Sequence, residues 1–297
     1  MHIETLRIFC DLVNLKSFSL AAERNLITQS AVSQQIRTLE ERFDRKLLER
    51  VRGRRDVELT PAGEILYREA QEILAGYDQL SEKLRALDGT VGGTIRVATI
   101  YSVGLHELPS KVREFMLKYP SARIDLEYSR MTRVIRDVLN GSVELGVLAS
   151  PEPRKGLTVV QMPANRLVLI CQAEHPFANR SQVTTRELDG QEFVHFERDM
   201  PTRKIVERML RENGVEVKKA AEFDNIETIK RAVEVGFGVA IIPDEAVRDE
   251  LSSGRLAAVP LAEKEWVRPV GVIYRSDRTL SIAAAEFVQL LKDGRGK

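Results

Sequence analysis

Apolar side chains recur at helical spacing from near the start of the chain. Leu6, Phe9, Cys10 and Val13 stand at i, i+3, i+4 and i+7, which predicts an amphipathic helix over residues 3–15. The segment SFSLAAERN opens a second, short helix that Ser19 or Ser17 can cap, with Ala21 and Ala22 permitting close packing. After the tight connection NLI, Thr28 caps a third helix in TQSAVSQQIRTLEERF, where Val32, Ile36, Leu39 and Phe43 follow spacings of 4, 3 and 4. Two short helices joined by about three residues match a helix-turn-helix. Leu48, Arg50, Val57 and Leu59 then alternate across a turn centred on Gly53, the pattern of a small β-hairpin appended as a wing.

A longer pattern follows. Thr60 caps and Pro61 takes the first helical position, where its missing N–H costs nothing. Leu66, Ala70, Ile73, Tyr77, Leu80, Leu84 and Leu87 repeat at 4-3-4-3-4-3. A helix over 61–88 would run roughly 42 Å at 1.5 Å per residue. Such a seam either packs on its own domain or pairs with a second copy. Its length favours dimerisation through Leu66, Ile73, Tyr77, Leu80, Leu84 and Leu87. Gly89, Gly92 and Gly93 then make a hinge.

Beyond the hinge, strands are expected at 94–100, 122–128, 144–148, 166–171, 193–196, 220–223, 238–242 and 267–274. Helices are expected at about 103–118, 132–140, 202–213, 226–236 and 281–292. Alternation of this kind predicts parallel sheets with helices on both faces. The expected fold class is α/β: a helix-rich winged helix-turn-helix over 1–60, a linker helix and hinge over 61–93, and a two-lobed domain over 94–297. One lobe takes 94–163 and 268–297, the other 164–267, as periplasmic binding proteins are built.

Composition narrows the function. The 297 residues are 43% apolar and 30% charged, enough for packed cores and too polar for any run of 18 uncharged apolar residues. MHIETLRIFC lacks a basic stretch followed by an apolar run, so the expected compartment is the cytoplasm, with Cys10 and Cys171 as buried free thiols. His2, His106, His175 and His195 stand alone, without metal-ligand spacing or a cysteine partner. GFGVAI ends a helix rather than opening one, so it is no dinucleotide motif. Neither an enzyme nor a metal or cofactor is expected.

Net charge is only +1, but its distribution is uneven, since RVRGRR at 50–55 carries four arginines and no acid. Beside it, the polar face of the third helix carries Gln29, Ser30, Ser33, Gln34 and Arg37. An ordinary solvated face is filled with Lys and Glu. Gln can instead make bidentate contacts to adenine, Arg to guanine and Ser to either. The expected partner is double-stranded DNA, with bases read by that helix and phosphates held by Arg50, Arg52, Arg54 and Arg55. In the two-lobed domain, Ser102, Thr132, Thr202 and Asn225 stand where strands hand over to helices. Each is either a simple cap or part of a cleft for a small polar or anionic effector. Met131, Ser150 and Arg203 are weaker candidates beside them.

FSLAAERNLITQSAVSQQIRTLEERFDRKLLER together with RRDVELTPAG resembles the LysR-type transcriptional regulators, with family spacing throughout. Ser30–Ala31 stands where many members have Pro–Ala. ETIKRAVEVGFGVAIIP, at 227–243, is similar to the corresponding family segment. The resemblance covers essentially the whole chain. It implies groove contacts from Gln29, Ser30, Ser33 and Gln34, wing arginines on phosphate, a periplasmic-binding-protein-like effector domain, and homodimers that assemble as homotetramers. RNA polymerase is a further candidate partner. Two rival readings stay open: an architectural DNA-binding protein with no effector response, and a solute-binding protein or enzyme with an accessory DNA-binding domain.

Overall fold

The computed structural model describes residues 2–50, 57–86 and 90–294. Backbone contacts divide the chain into two compact units, Met1–Gly93 with Asn140–Ser142, and Thr94–Leu139 with Val143–Lys297.

The first unit begins with α1 (Ile3–Leu15), α2 (Phe18–Arg24) and α3 (Gln29–Phe43). Ser17 is the cap of α2, accepting from the Leu20 amide, while the Ser19 hydroxyl donates to Gln29 Oε1 at 3.2 Å. Between α2 and α3 the chain reverses through Leu26, which adopts a left-handed φ of 54°. Thr28 then caps α3 by accepting from the Ala31 amide at 3.1 Å. Leu6, Phe9, Leu12, Ala21, Val32, Ile36 and Leu39 close into one core, which the first turns of the next helix complete. The stripe on α3 ends early. Phe43, expected inside, stays 43% exposed, because it lies in the last helical turn beyond the core that Leu39 closes.

Strands β1 (Leu48–Arg50) and β2 (Val57–Leu59) pair antiparallel, with Leu48 opposite Leu59 and Arg50 opposite Val57. The expected turn at Gly53 lies outside the described residues, as do Arg52, Arg54 and Arg55. Helix α4 (Pro61–Ala86) starts at Thr60, whose hydroxyl accepts from the Gly63 amide at 3.0 Å and donates to the Lys46 carbonyl at 2.6 Å. A Cβ at Gly63 would sit 2.1 Å from the Leu47 carbonyl oxygen, so only glycine lets α4 approach so closely.

The heptad seam of α4 divides. Ala70 and Leu74 are buried in the core and Leu66 packs partly against it, so the first turns of the seam face their own domain. Ile73, Tyr77, Leu80 and Leu84 are exposed. A straight helix drifts about 20° per heptad against a 3.5-residue repeat, so one stripe does not keep one face. Leu87 lies outside the described residues.

The second unit runs β3 (Gly93–Thr99), α5 (Tyr101–His106), α6 (Leu108–Lys118), β4 (Ala122–Tyr128), α7 (Met131–Leu139) and β5 (Leu145–Ala149). The chain then crosses on β6 (Leu157–Gln172) into β7 (Glu192–Phe196), α8 (Pro201–Glu212), β8 (Lys218–Phe223), α9 (Ile226–Glu234), β9 (Ala240–Pro243), α10 (Arg248–Ser252) and β10 (Leu256–Val259). It returns on β11 (Val267–Arg275) and ends with α11 (Ile282–Lys292). The single helix expected at 103–118 is two helices, broken at Glu107 ahead of Pro109, which fits only a first turn.

The sheets are mixed rather than parallel. Parallel pairing joins β3 to β5 and β7 to β8, but β6 pairs antiparallel with β9, β10 and β11, and β11 with β5. The cause is the long β6–β11 pair, which carries the chain out of one lobe and back into it. Within β6 the pleat sorts side chains to two cores. Leu167, Leu169 and Cys171 pack toward Val206 and Met209 of α8, while Val168 and Ile170 pack toward Ile229 and Val233 of α9. In the other lobe Val134, Val138, Leu148 and Ile273 belong to one buried cluster. Among the described residues no helix is long and apolar enough to cross a membrane, and no group of three or more His, Cys, Asp or Glu could hold a metal ion.

Candidate nucleic-acid interface and inter-lobe pocket

On α3, Val32, Ile36 and Leu39 are buried, which fixes the helix so that Gln29, Ser30, Ser33, Gln34 and Arg37 all face outward. The Ser30 hydroxyl lies 2.9 Å from that of Thr28, and Gln29 accepts from Ser19. Arg37 borders a surface hollow with Glu40, Asp44 and Lys46. Gln35, one position around, turns inward and accepts from the Thr5 hydroxyl at 2.7 Å. The exposed face therefore presents amides and hydroxyls held by a rigid helix, with few intramolecular bonds to break before they meet another surface. Arg50 closes β1, its backbone opposite Val57.

The strand ends of the second unit behave differently from expectation. Ser102 caps nothing: Ile100 holds the cap position of α5 and Ser102 is buried as its second residue. Its hydroxyl accepts from Arg268 Nη1 at 3.1 Å. Arg268 is 1% exposed and also donates from Nε and Nη2 to Asn165 Oδ1, at 3.1 and 2.7 Å, and from Nη2 to Glu107 Oε1 at 2.9 Å. Burial pushes the Glu107 carboxyl above its usual range, against the opposing pull of the Arg268 guanidinium. The partners of Arg268 lie 103, 161 and 166 positions from it along the chain, and no local motif announces them.

Thr132 is exposed on α7. Thr202 is buried in α8, and Arg203 turns inward to donate to the Phe196 carbonyl at 2.9 Å and Glu207 at 2.7 Å. Asn225 is a cap: its side chain accepts from the Glu227 amide at 2.8 Å. The four strand ends thus do not offer four open groups to one cleft. Two pairs span the lobes nearby, His106 Nε2 with Glu227 Oε1 at 2.7 Å and Arg130 with Asp224 at 3.3 Å. Burial, and the charge of Lys230 beside it, hold the His106 imidazole below its ordinary range.

Met131 and Ser150 do share a pocket of about 500 Å³, floored by Ile135, Leu148, Leu157 and Ile273 and closed from the other lobe by Pro201, Lys204 and Ile205 of α8. Ser150 ends β5 in a left-handed conformation with φ 48°, held by its amide donating to the Pro269 carbonyl at 2.7 Å. Its Oγ is buried with no hydrogen-bond partner. Sequence patterning weighed Ser150 lightly because a serine after a strand is ordinary. The strained backbone and the unsatisfied hydroxyl are visible only in three dimensions.

Comparison with known proteins fits both units. The family model for the bacterial regulatory helix-turn-helix protein, lysR family, matches residues 3–64, and the LysR substrate binding domain model matches 88–296. A probable RuBisCO transcriptional regulator from Cyanophora paradoxa is 30% identical over 291 residues, covering 96% of this chain and 89% of the relative. The transcriptional activator CmpR of Synechocystis is 28% identical, covering 96% and 92%. Among solved structures, a variant of full-length OxyR from Pseudomonas aeruginosa aligns with a TM-score of 0.74 at 20% identity, covering 98% of each chain. Full-length CbnR in complex with its target DNA aligns at 0.68 and 20% identity, covering 99% of each.

Proposed function

Because the chain belongs to the LysR family of bacterial helix-turn-helix regulators, whose two domain models match residues 3–64 and 88–296, we propose that Gln29, Ser30, Ser33, Gln34 and Arg37 read operator bases while Arg50, Arg52, Arg54 and Arg55 hold the sugar-phosphate backbone. The observation that carries this reading is the exposed amide and hydroxyl face of α3, backed by a buried apolar stripe. Base edges in the major groove are read by short, hydrogen-bonding side chains on a rigid helix. The exposed part of the α4 seam, Ile73, Tyr77, Leu80 and Leu84, pairs two copies so that two half-sites are read together. The protein works in the cytoplasm, catalyses no reaction, and changes its action at the operator when a small effector binds between the lobes. The inter-lobe pocket favours this over a purely architectural role, which has no use for one.

Site selection from a random duplex pool, followed by binding titrations, tests the reading. Gln34→Ala should cost about 1–3 kcal/mol on the selected operator and relax preference at one base position. Unchanged affinity together with unchanged preference would show that α3 is not the reader.

A further inference from the structure

The corner of the cleft at the end of β3, where a free effector group would be expected to meet Ser102, is already occupied from within. Arg268 fills it and directs four hydrogen bonds to Ser102, Asn165 and Glu107. Guanidinium and carboxylate neutralise each other there, so that corner offers an incoming anion no unpaired cation. The pocket under Ser150 is built differently. Ile135, Leu148, Ile205 and Ile273 give it an apolar floor drawn from both lobes. Lys204 and Arg154 border it, both are exposed, and neither is ion-paired among the described residues, against the single carboxylate of Glu152. Ser150 Oγ, buried and unsatisfied, supplies a donor and acceptor beside that apolar floor.

From this we infer that the effector is an amphipathic acid: an aryl or alkyl body on the isoleucine and leucine floor, with an anionic head on Lys204 and Ser150. This rests on the reading that an inter-lobe ligand regulates the protein, and it narrows that ligand away from a small, wholly polar anion. Two requirements follow from the lining. A wholly polar anion would leave the apolar floor in contact with water, and an apolar neutral molecule would leave Ser150 Oγ unsatisfied and the cations unused. Because Lys204 and Ile205 belong to one lobe and Ile135, Leu148 and Ser150 to the other, such an occupant touches both.

The test is titration of the full chain with 3-phenylpropionate and octanoate, alongside 3-phenylpropanamide, acetate and inorganic phosphate, by calorimetry and by the fluorescence of Trp266, the chain's one tryptophan. Trp266 belongs to the same buried cluster as Ile205, which lines the pocket, so the reporter lies in the lobe that supplies that wall. Saturable binding is expected for at least one of the two acids, with the amide, acetate and phosphate each at least about tenfold weaker. Lys204→Met keeps the stem and removes the charge. It should weaken the acid about tenfold and leave the amide unchanged, a contrast that a merely structural lysine would not produce. Ser150→Gly removes the hydroxyl at a φ that glycine adopts without strain, and it should weaken acid and amide alike. Acetate or phosphate binding as tightly as the acids, an unaltered acid affinity in Lys204→Met, or no saturable binding by either acid would each overturn the inference. Operator binding is measured on the same samples. Acid binding without operator binding would remove the regulatory reading alone, and operator binding without acid binding would remove this inference alone.

Discussion

Replacing Arg268 by methionine should be among the most damaging single changes in the second unit, and its cost should depend on pH. The substitution keeps an unbranched chain of similar reach but deletes the charge that faces Glu107 at 2.9 Å and the donors that satisfy Ser102 and Asn165. Arg268 is 1% exposed, so water does not readily replace what is lost. Removing one partner of a buried ion pair costs about 3–5 kcal/mol, mostly from the charge left behind. In a domain of this size that corresponds to a fall in Tm of roughly 6–20 °C.

The pH dependence has a definite sign. Burial already holds the Glu107 carboxyl above its usual range in the native protein, and loss of the opposing guanidinium raises it further. A carboxyl raised in the folded state contributes most at low pH, and that contribution is lost as pH rises through the folded value. The deficit of Arg268→Met should therefore shrink as pH falls from 7 toward 5, by at most about 1.4 kcal/mol per pH unit. Adding Glu107→Gln to Arg268→Met should flatten that dependence and recover about 2 kcal/mol, leaving the cost of the unpaired Ser102 and Asn165. Urea unfolding of the full chain followed through Trp266, which is buried in this unit, measures all four corners of the cycle. A deficit below about 1 kcal/mol, or one independent of pH and untouched by Glu107→Gln, would refute the reasoning.

Other expectations follow from single features. Leu80→Asp puts a charge into the exposed seam of α4, so sedimentation should show altered assembly and operator affinity should drop, with the fold intact because Leu80 touches no core. Arg54→Ala should weaken binding to every duplex alike and lower the salt slope by about one, as titrations at several salt concentrations would register. His195 is pulled down to about 4 by burial first and by Arg203 next, against an ordinary value of 6.5. A depressed imidazole contributes its stability in full above the unfolded value and loses it as pH falls from about 6.5 toward 4. His195→Phe, placed beside the Phe193 ring, should flatten acid unfolding in that window.

What the sequence made legible was set by short-range physics. The helix-turn-helix showed because capping and periodicity are local: Thr28, Thr60 and the α3 stripe each act within one or two turns. Phe43 and Leu66 were misplaced by the same method, since a repeat says which side chains share a face but not where the covering core ends. The β6 segment at 157–165 carries Pro163, Gln161 and Asn165 and does not alternate cleanly, so the strand expected at 166–171 starts late and pairing with β11 extends it back to Leu157. The candidate site was the least legible part. Helix N-termini are visible in sequence, but whether a side chain there is open depends on distant partners, as Arg268 for Ser102 and Phe196 and Glu207 for Arg203 demonstrate.

The two kinds of contact between the lobes differ in what an effector could move. Arg130–Asp224 is exposed on both sides, and an exposed pair contributes about 0–1 kcal/mol. His106–Glu227 is only partly covered, and the imidazole's lowered range favours its neutral form, which carries no ion-pair energy. The Arg268 cluster is instead buried, with hydrogen bonds from Nε, Nη1 and Nη2, and it ties α5 and Glu107 to the crossing strands β6 and β11 at Asn165 and Arg268. Its rupture would cost several kcal/mol, more than the 1–3 kcal/mol typical of coupling between sites. An effector worth that much can outweigh the rim pairs but cannot break the cluster. Lobe movement should therefore pivot about the Arg268 region and be read out at the rim. A ligand in the Ser150 pocket, touching α7 and β5 on one side and α8 on the other, acts where the resistance is weakest.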